Sequence, residues 1–220
     1  MKLYKYAYGG GKRSTYHSYS SEARKDYYIA RSDARNYQDL VDKLSFKGED
    51  VDTYFYTDET IRPFGIAFGS DKKKSLKVLG KATFELTFDK SELYTILYFK
   101  RRVDSYKYLL QLHFVDNELV YAMNHIYETV PLHKNHMLEM TRLLLYKYTH
   151  KNNDELDSSQ ITLVDNKDNR IIISDSLEYN IRYSSGNRFT LARLQGLIER
   201  ENIYSVRSKL RSKIAMLNFL

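Results

Sequence analysis

The 220-residue chain contains no cysteine and no tryptophan. Without cysteine it can form no disulfide, no thiolate metal site and no cysteine nucleophile. Its apolar runs fall well short of the roughly 18 residues needed to cross a membrane, so no membrane partner is expected. The first nine residues, ending at Gly9, also lack the apolar centre of a signal peptide. We therefore expect an intracellular, cytoplasmic protein, or one held within an assembled particle, that is not secreted through a signal peptide.

The residues that the chain does contain are typical of a globular protein. Hydrophobic residues make up 42% and charged residues 29% of the sequence, and the mass is 26.1 kDa. A chain of this length buries most of the surface that its unfolded form exposes, so it needs no covalent or metal staple. Length and composition predict one domain of ordinary size, or one domain with appendages.

Positive charge is concentrated at both ends and in the middle of the chain. Lysine and arginine number 35 against 28 acidic residues, which gives a net charge of +7. The successive ranges 1–44, 45–70, 71–150, 151–187 and 188–220 carry net charges of +4, −3, +4, −3 and +5. This balance suits contact with an anionic partner, although many basic proteins carry only solvated lysines.

The first 20 residues form a basic arm rich in tyrosine, glycine and serine. Such a composition is typical of a flexible tail, unless a partner orders it or it packs on its own domain. Tyrosine suits these contacts because it combines a large apolar ring with a polar tip. The arm residues predicted to bind a partner are Tyr4, Tyr6, Tyr8, Lys12, Arg13, Tyr16 and Tyr19.

The glycine run at 9–11 invites comparison with a phosphate-binding loop. That motif needs glycine where Tyr6 stands, and serine or threonine where Arg13 follows the lysine. Because both positions fail, we expect no nucleotide and no other cofactor. A turn that presents Lys12 and Arg13 to an anionic partner fits the run better.

Hydrophobic periodicity divides the rest of the chain into helices and strands. Three-to-four spacing predicts a helix over 21–44, another over 135–149, and two more from 188 onward. Period-two alternation, or a short apolar run, predicts strands over 82–88, 93–101, 106–115, 119–127, 161–164, 170–173 and 177–183. Residues 48–74 show neither pattern and are predicted to be irregular.

These elements predict an α+β fold. An N-terminal helix precedes an antiparallel meander of four strands, joined in part by a turn at Asp116 and Asn117, which both tolerate positive φ. One mid-chain helix, a hairpin with a further strand, and a C-terminal helical pair follow. The predicted organisation is an arm over 1–20, an α+β domain over 21–187 and the helical pair over 188–220, packed on the domain or on a partner.

The last predicted helix has an unusual distribution of side chains. Its apolar stripe is flanked by charges, as in the seam of a coiled coil, while small serines occupy the opposite face. A serine face allows another backbone to approach closely. The residues of this helix predicted to bind a partner are Ser205, Arg207, Ser208, Arg211 and Ser212. An ordinary packed C-terminal helix is the alternative.

A histidine cluster is the strongest candidate for a metal site. Its members are His125, His133, His136 and Glu139, which lie within fifteen residues of one another. Imidazole and carboxylate are good metal ligands, and such a site would suit a hydrolase or nuclease. The spacing of His133 and His136 is not the four-residue spacing that places two ligands on one helical face. Surface or capping histidines are therefore the competing interpretation.

Basic residues interleaved with aromatic residues suggest an alternative, nucleic-acid-binding surface. The residues concerned are Lys72, Lys73, Lys74, Arg101, Arg102 and Lys107. An exposed sheet that carries tyrosine, phenylalanine and cations can stack and neutralise a single strand. No motif of a known nucleic-acid reader accompanies them.

Two acidic features complete the set. Glu49, Asp50, Asp52, Asp58 and Glu59 cluster within one segment, which we interpret as a solvated loop or as one that docks on a basic surface of this chain or of a partner. The triplet at 165–167, Asp-Asn-Lys, resembles the end of a nuclease motif. It falls in a predicted hairpin turn, however, and turn chemistry explains it.

Three functions remain open, in order of preference. The first is a non-catalytic component of a larger assembly, of the virus-particle or ribonucleoprotein type, whose partners are other protein subunits, identical or different. The second is a nucleic-acid-binding module. The third is a metal-dependent hydrolase around the histidines. The absence of a complete catalytic constellation places the first above the others.

Overall fold

The computed structural model describes residues 21–45, 53–88, 93–103, 106–127, 134–153, 156, 161–174 and 179–217. For Tyr127, Glu201 and residues 204–217 it describes the backbone alone. The helices are α1 (Ser21–Ala30), α2 (Tyr37–Ser45), α3 (Lys72–Leu79), α4 (Lys134–Thr149) and α5 (Arg188–Leu217), with a short 3-10 turn at Pro63–Gly65. The strands are β1 (Tyr54–Thr57), β2 (Phe84–Thr87), β3 (Tyr94–Val103), β4 (Tyr106–Val115), β5 (Glu118–Tyr127), β6 (Ile161–Asp165), β7 (Arg170–Ser174) and β8 (Tyr179–Ser184).

All eight strands belong to one sheet with the order β1-β6-β7-β8-β5-β4-β3-β2. Every pairing is antiparallel except that of β1 with β6, which is parallel. The α+β class is therefore confirmed, whereas the sheet, which we predict to be antiparallel, is mixed. The parallel pair joins segments about a hundred residues apart, so no local sequence pattern announces it.

Helices cover both faces of the sheet. Alternate residues of β3 and β4 point to opposite sides, and each side has its own apolar cluster. Helices α1 and α2 and the first turns of α5 pack on one side, where Leu40 and Leu194 are fully buried. Helices α3 and α4 and the residues around Ile61 pack on the other, where Leu145 is fully buried.

The predicted N-terminal helix over 21–44 is two helices. The Ser32 hydroxyl donates to the Tyr28 carbonyl at 3.0 Å and ends α1. The Asn36 side chain accepts from the Asp39 N–H at 2.8 Å and caps α2. Side-chain bonds of this kind compete with the helical backbone bonds, which explains the break.

The predicted C-terminal pair is a single helix, α5, of 30 residues. Gly196, which lies within it, does not interrupt it, and good helix formers continue the chain beyond Ile198. Because Leu194 is fully buried among residues of α2 and the sheet, the first turns of α5 share the core of the domain.

The segment predicted to be irregular contains β1 and the start of α3. The Asp71 side chain caps α3 by accepting from the Lys74 N–H at 2.6 Å. These elements have four and eight residues, too few for a hydrophobic period to appear. The predicted strand over 82–88 is correspondingly shorter and forms only at Phe84–Thr87.

Candidate interaction site

The strand β1 lies at one edge of the sheet and has side chains of two kinds. Phe55 packs against the apolar cluster on the α4 side. Tyr54 and Tyr56 point to the opposite side and are 51% and 76% exposed. Aromatic residues favour strands, and the Tyr-Phe-Tyr run forms one by pairing with β6. The consequence is a strand that is anchored on one side and presents two tyrosines on the other.

Among the described residues, the backbone of β1 is hydrogen-bonded on one of its two sides. The Thr162 N–H of β6 donates to the Thr53 carbonyl at 2.9 Å, and the register places Tyr54 beside Thr162. In a parallel pair, alternate residues of a strand direct both their N–H and their C=O toward the partner. Because the Thr53 carbonyl bonds to β6, the N–H and C=O of Phe55 also face β6. Those of Tyr54 and Tyr56 point away from the sheet. Within the described strands nothing pairs with them, so two donors and two acceptors are open at this edge.

A groove of about 600 Å³ runs between β1 and the end of α4. The Thr57 hydroxyl donates to the Tyr148 carbonyl at 2.6 Å and holds the two elements together. Tyr148 lines the groove, and burial raises the pKa of its hydroxyl. Near this end of α4, Leu143 and Tyr146 are 63% and 55% exposed. We call β1, residues 58–59 and the adjoining end of α4 at 148–153 the β1 edge.

Acidic side chains stand where β1 ends. Asp58 and Glu59 are both exposed and line the groove. The Glu59 carboxylate lies 3.9 Å from the His150 ring nitrogen across the groove, and Lys151 follows in the same wall. In the sequence Asp52 precedes β1 as well, so acidic residues flank the strand on both sides. The β1 edge therefore suits an extended segment with basic and aromatic side chains.

Asp165, at the end of β6, fixes the turn next to this edge. Its side chain is nearly fully buried and accepts four hydrogen bonds of 2.8 to 3.0 Å. The donors are the backbone N–H groups of Ile61, Lys167 and Asn169 and the Asn169 side chain. This is the acidic residue of the triplet at 165–167, and it acts as the structural turn residue that the sequence indicates. A cavity of about 300 Å³ beside it reaches the start of α5.

A second polar group is built around Asp33, which lies in the link between α1 and α2 and has a side chain that is 13% exposed. The Asp33 carboxylate accepts from the Tyr121 hydroxyl and lies 3.5 Å from the Lys43 ammonium and 3.8 Å from the Arg182 guanidinium. His113 is fully buried nearby, and burial lowers its pKa to about 3. The carboxylate charge of Asp33 opposes that shift only in part. The Asp33 carboxylate is paired with the Tyr121 hydroxyl and lies near two cations, whereas the Nε2 atom of His113 has no hydrogen-bond partner among the described residues. None of these groups lines the grooves described above.

The predicted metal ligands are not brought together. His125, on β5, faces the α2 side and lies 2.8 Å from the Asn180 amide oxygen. His136 and Glu139 are exposed on α4, on the opposite face, where the His136 ring lies 3.3 Å from the Tyr106 hydroxyl. His133 lies outside the described residues. Within the ranges that the structure describes, no three histidine, aspartate or glutamate side chains are placed to hold a metal ion.

The basic residues predicted to contact nucleic acid lie on α3 and on the β3–β4 hairpin. Lys73 and Lys74 are exposed, while the Lys72 ammonium lies 3.1 Å from the Glu85 carboxylate. Arg101 caps the other end of α3 by donating to the Leu79 carbonyl. Arg102 and Lys107 are register partners on the hairpin.

The aromatic residues of β3 do not form the exposed platform that the sequence suggests. Tyr98 and Phe99 are fully buried because helices cover both faces of the sheet at this point. The Arg101 guanidinium lies 5.5 Å from the centroid of the Phe99 ring, but both rings are buried and neither is exposed for a base to stack on.

The remaining predicted residues cannot be placed by their side chains. The arm residues Tyr4 to Tyr19 lie outside the described residues. Ser205, Arg207, Ser208, Arg211 and Ser212 lie within the backbone of α5, and their side chains are likewise outside the description. No helix in the part of the chain that the structure describes is long and apolar enough to span a membrane.

Comparisons of the chain with protein-family models, with curated proteins and with solved structures find no significant match.

Proposed function

We propose that this protein is a non-catalytic structural subunit of a larger assembly, of the virus-particle or ribonucleoprotein type, and that copies of it associate through the β1 edge. The observation that carries the proposal is the open side of β1, where Tyr54 and Tyr56 present exposed rings and backbone groups with which no described strand pairs.

The composition of β1 supports this interpretation. Open strand edges template association with other strands, and monomeric proteins commonly block them with lysine, proline or an inward charge. The run Tyr54–Thr57 contains none of these. Tyrosine is also among the residues enriched at protein interfaces, because its ring buries a large area while its hydroxyl stays paired. An unblocked edge of this kind is what we expect of a strand that binds another protein chain.

Nucleic-acid binding is the second candidate, and the exposed cations of α3 favour it. Lys73, Lys74 and Lys77 are exposed along this helix, and the whole chain carries a net charge of +7. Such a surface binds phosphates without sequence preference and loses affinity steeply as salt rises. If the protein does not bind single-stranded oligonucleotides at low salt, nucleic-acid binding is contradicted.

Light scattering on the purified full-length chain tests the preferred function, with absorbance at 260 and 280 nm across the peak. We expect masses at multiples of 26.1 kDa and a protein-like absorbance ratio. Tyr56→Ser should shift the distribution toward the monomer, whereas Val103→Ser, at an exposed site on the β3–β4 hairpin, should leave it unchanged. A chain that stays monomeric at the highest accessible concentration would refute self-association. A monomer that co-purifies with nucleic acid would favour the second candidate.

A further inference from the structure

The arm enters the domain at the edge of the sheet opposite to β1. Residue 20 leads directly into α1, which packs beside β2. The Arg24 guanidinium donates to the Thr83 carbonyl at 2.8 Å, and the Tyr28 ring stacks on Phe84 with centroids 4.5 Å apart. β2 and β1 are the two outer strands of the eight-stranded sheet. Seven strand spacings therefore separate them, a distance of about 34 Å.

The arm and the β1 edge are chemically complementary. Residues 1–20 carry four cationic residues and no acidic residue, while β1 is flanked by acidic residues on both sides. Tyr4, Tyr6 and Tyr8 alternate with Lys5 and Ala7, which is the period of a strand. A strand laid along the open side of β1 would use the outward N–H and C=O groups and place tyrosine beside tyrosine.

We propose that residues 1–20 of one copy bind along the β1 edge of a second copy and add a strand to its sheet. This inference rests on the proposed function and names the contact through which the copies associate. The occupant is the basic, tyrosine-rich arm, and its acceptor is the edge formed by Tyr54, Tyr56, Asp58 and Glu59.

The geometry favours a second copy over the arm's own domain. If residues 2–8 pair with β1, twelve residues remain to bridge the sheet, and these reach at most about 40 Å when fully extended. They would have to cross about 34 Å over helices α2 and α5, which cover that face in a layer roughly 10 Å thick. The fully extended segment is therefore barely long enough for this path. An arm that reaches outward to a neighbouring copy meets no such constraint.

Symmetric pairing of two β1 strands is disfavoured by charge. Because acidic residues precede and follow β1 in the sequence, an antiparallel β1–β1 contact between two copies brings acid against acid at both ends. Like charges placed opposite each other destabilise paired strands. The arm instead places lysine against the same carboxylates.

Single cysteines test the contact directly, since the full-length chain has none of its own. Copies carrying Tyr4→Cys, Tyr6→Cys or Tyr8→Cys are each mixed with copies carrying Tyr56→Cys and oxidised mildly. A disulfide requires Cα atoms within about 7 Å, so its formation reports strand-scale proximity. At least one pairing should give about tenfold more mixed dimer than the same arm variant mixed with Val103→Cys, because docking raises the local thiol concentration.

Charge reversal provides an independent check. Asp58→Lys with Glu59→Lys in the acceptor should lower the yield of mixed dimer about fivefold, and Lys2→Glu with Lys5→Glu in the arm should restore it. The inference is overturned if disulfides form only within one chain carrying both cysteines, or if Tyr56→Cys alone gives the dominant dimer. If light scattering shows an oligomer but no disulfide forms, the inference about the arm is overturned and the proposed function is not. A strictly monomeric chain would overturn the proposed function as well.

Discussion

At the scale of single residues, His113 is a fully buried polar group whose surroundings keep its ring neutral. The Tyr94 hydroxyl donates to the Ala34 carbonyl at 3.1 Å, so the His113 Nδ1 atom, 2.8 Å away, acts as the donor to the tyrosine oxygen. The Nε2 atom has no hydrogen-bond partner among the described residues. Protonation would place a hydrogen on Nε2 with nothing to accept it. Burial and this geometry both keep the ring neutral.

The neutral ring makes stability fall in mild acid. The pKa of His113 is about 6.5 in the unfolded chain and about 3 in the folded protein, so only the unfolded state takes up a proton between these values. The contribution of His113 is complete above pH 6.5 and decreases as the pH falls toward 3. We expect it to lower the free energy of unfolding by about 2 kcal/mol between pH 7 and pH 5. His113→Asn should remove that part of the pH dependence.

Urea unfolding followed by circular dichroism measures this effect, with His150→Asn as the matched control. The His150 side chain is 69% exposed, so its replacement removes a histidine without disturbing the core. Equal slopes for the wild type and His113→Asn would show that this histidine is not held neutral by burial.

At the scale of elements, Asp165 joins parts of the fold that are distant in sequence. Its Oδ1 atom accepts from the backbone N–H groups of Lys167 and Asn169 in the β6–β7 turn. Its Oδ2 atom accepts from the Ile61 N–H and from the Asn169 amide, whose own oxygen accepts from the Gly186 N–H just before α5. One carboxylate therefore positions the turn beside β1, the segment at Ile61 and the start of α5.

Asp165→Asn should destabilise the protein although it changes a single atom of the side chain. An amide turns one acceptor oxygen into a donor that faces N–H groups, which leaves them unpaired and costs about 2–4 kcal/mol. Asp168→Asn is the control in the same turn. Asp168 is exposed with φ of 59°, a conformation that asparagine tolerates well, so its replacement should change stability by less than about 0.5 kcal/mol. Thermal unfolding of both variants decides the matter, and equal melting temperatures would contradict the proposed role of Asp165.

Hydrophobic alternation and turn residues in the sequence predict the elements that depend on neighbouring residues alone. The alternation over 106–115 and 119–127 marks the strands β4 and β5, and the turn between them has positive φ at both Asp116 and Asn117, as their residue types indicate. The split between α1 and α2 depends instead on side-chain bonds of Ser32 and Asn36, which hydrophobic spacing does not register.

The candidate site was harder to predict because it depends on topology. The Tyr-Phe-Tyr run between two acidic clusters is visible in the sequence, but its status as an open edge requires the parallel pairing of β1 with β6. The described members of the histidine cluster are separated for a related reason. His125 and His136 are close in sequence, yet the sheet places them on opposite faces. Proximity along a chain does not determine the side of a sheet on which a residue lies.

At the scale of the whole molecule, the arm leaves at one edge of the sheet and the acceptor lies at the other. A contact between two different surfaces is heterologous, and it continues from copy to copy until a ring closes or a filament forms. A symmetric contact would stop at two copies. Light scattering should accordingly show more than a dimer at concentrations where the arm binds.

Heterologous growth predicts that a copy with a defective acceptor terminates assembly. A chain carrying Asp58→Lys and Glu59→Lys keeps its arm, so it can dock on a wild-type edge but offers no edge for the next copy. Adding it to wild-type protein should lower the mean mass in proportion to its fraction. A chain that also carries Lys2→Glu and Lys5→Glu is the control, because its reversed arm is repelled by the wild-type acidic edge and the copy stays outside wild-type assemblies. A mean mass that both variants leave unchanged would show that the copies do not join arm to edge.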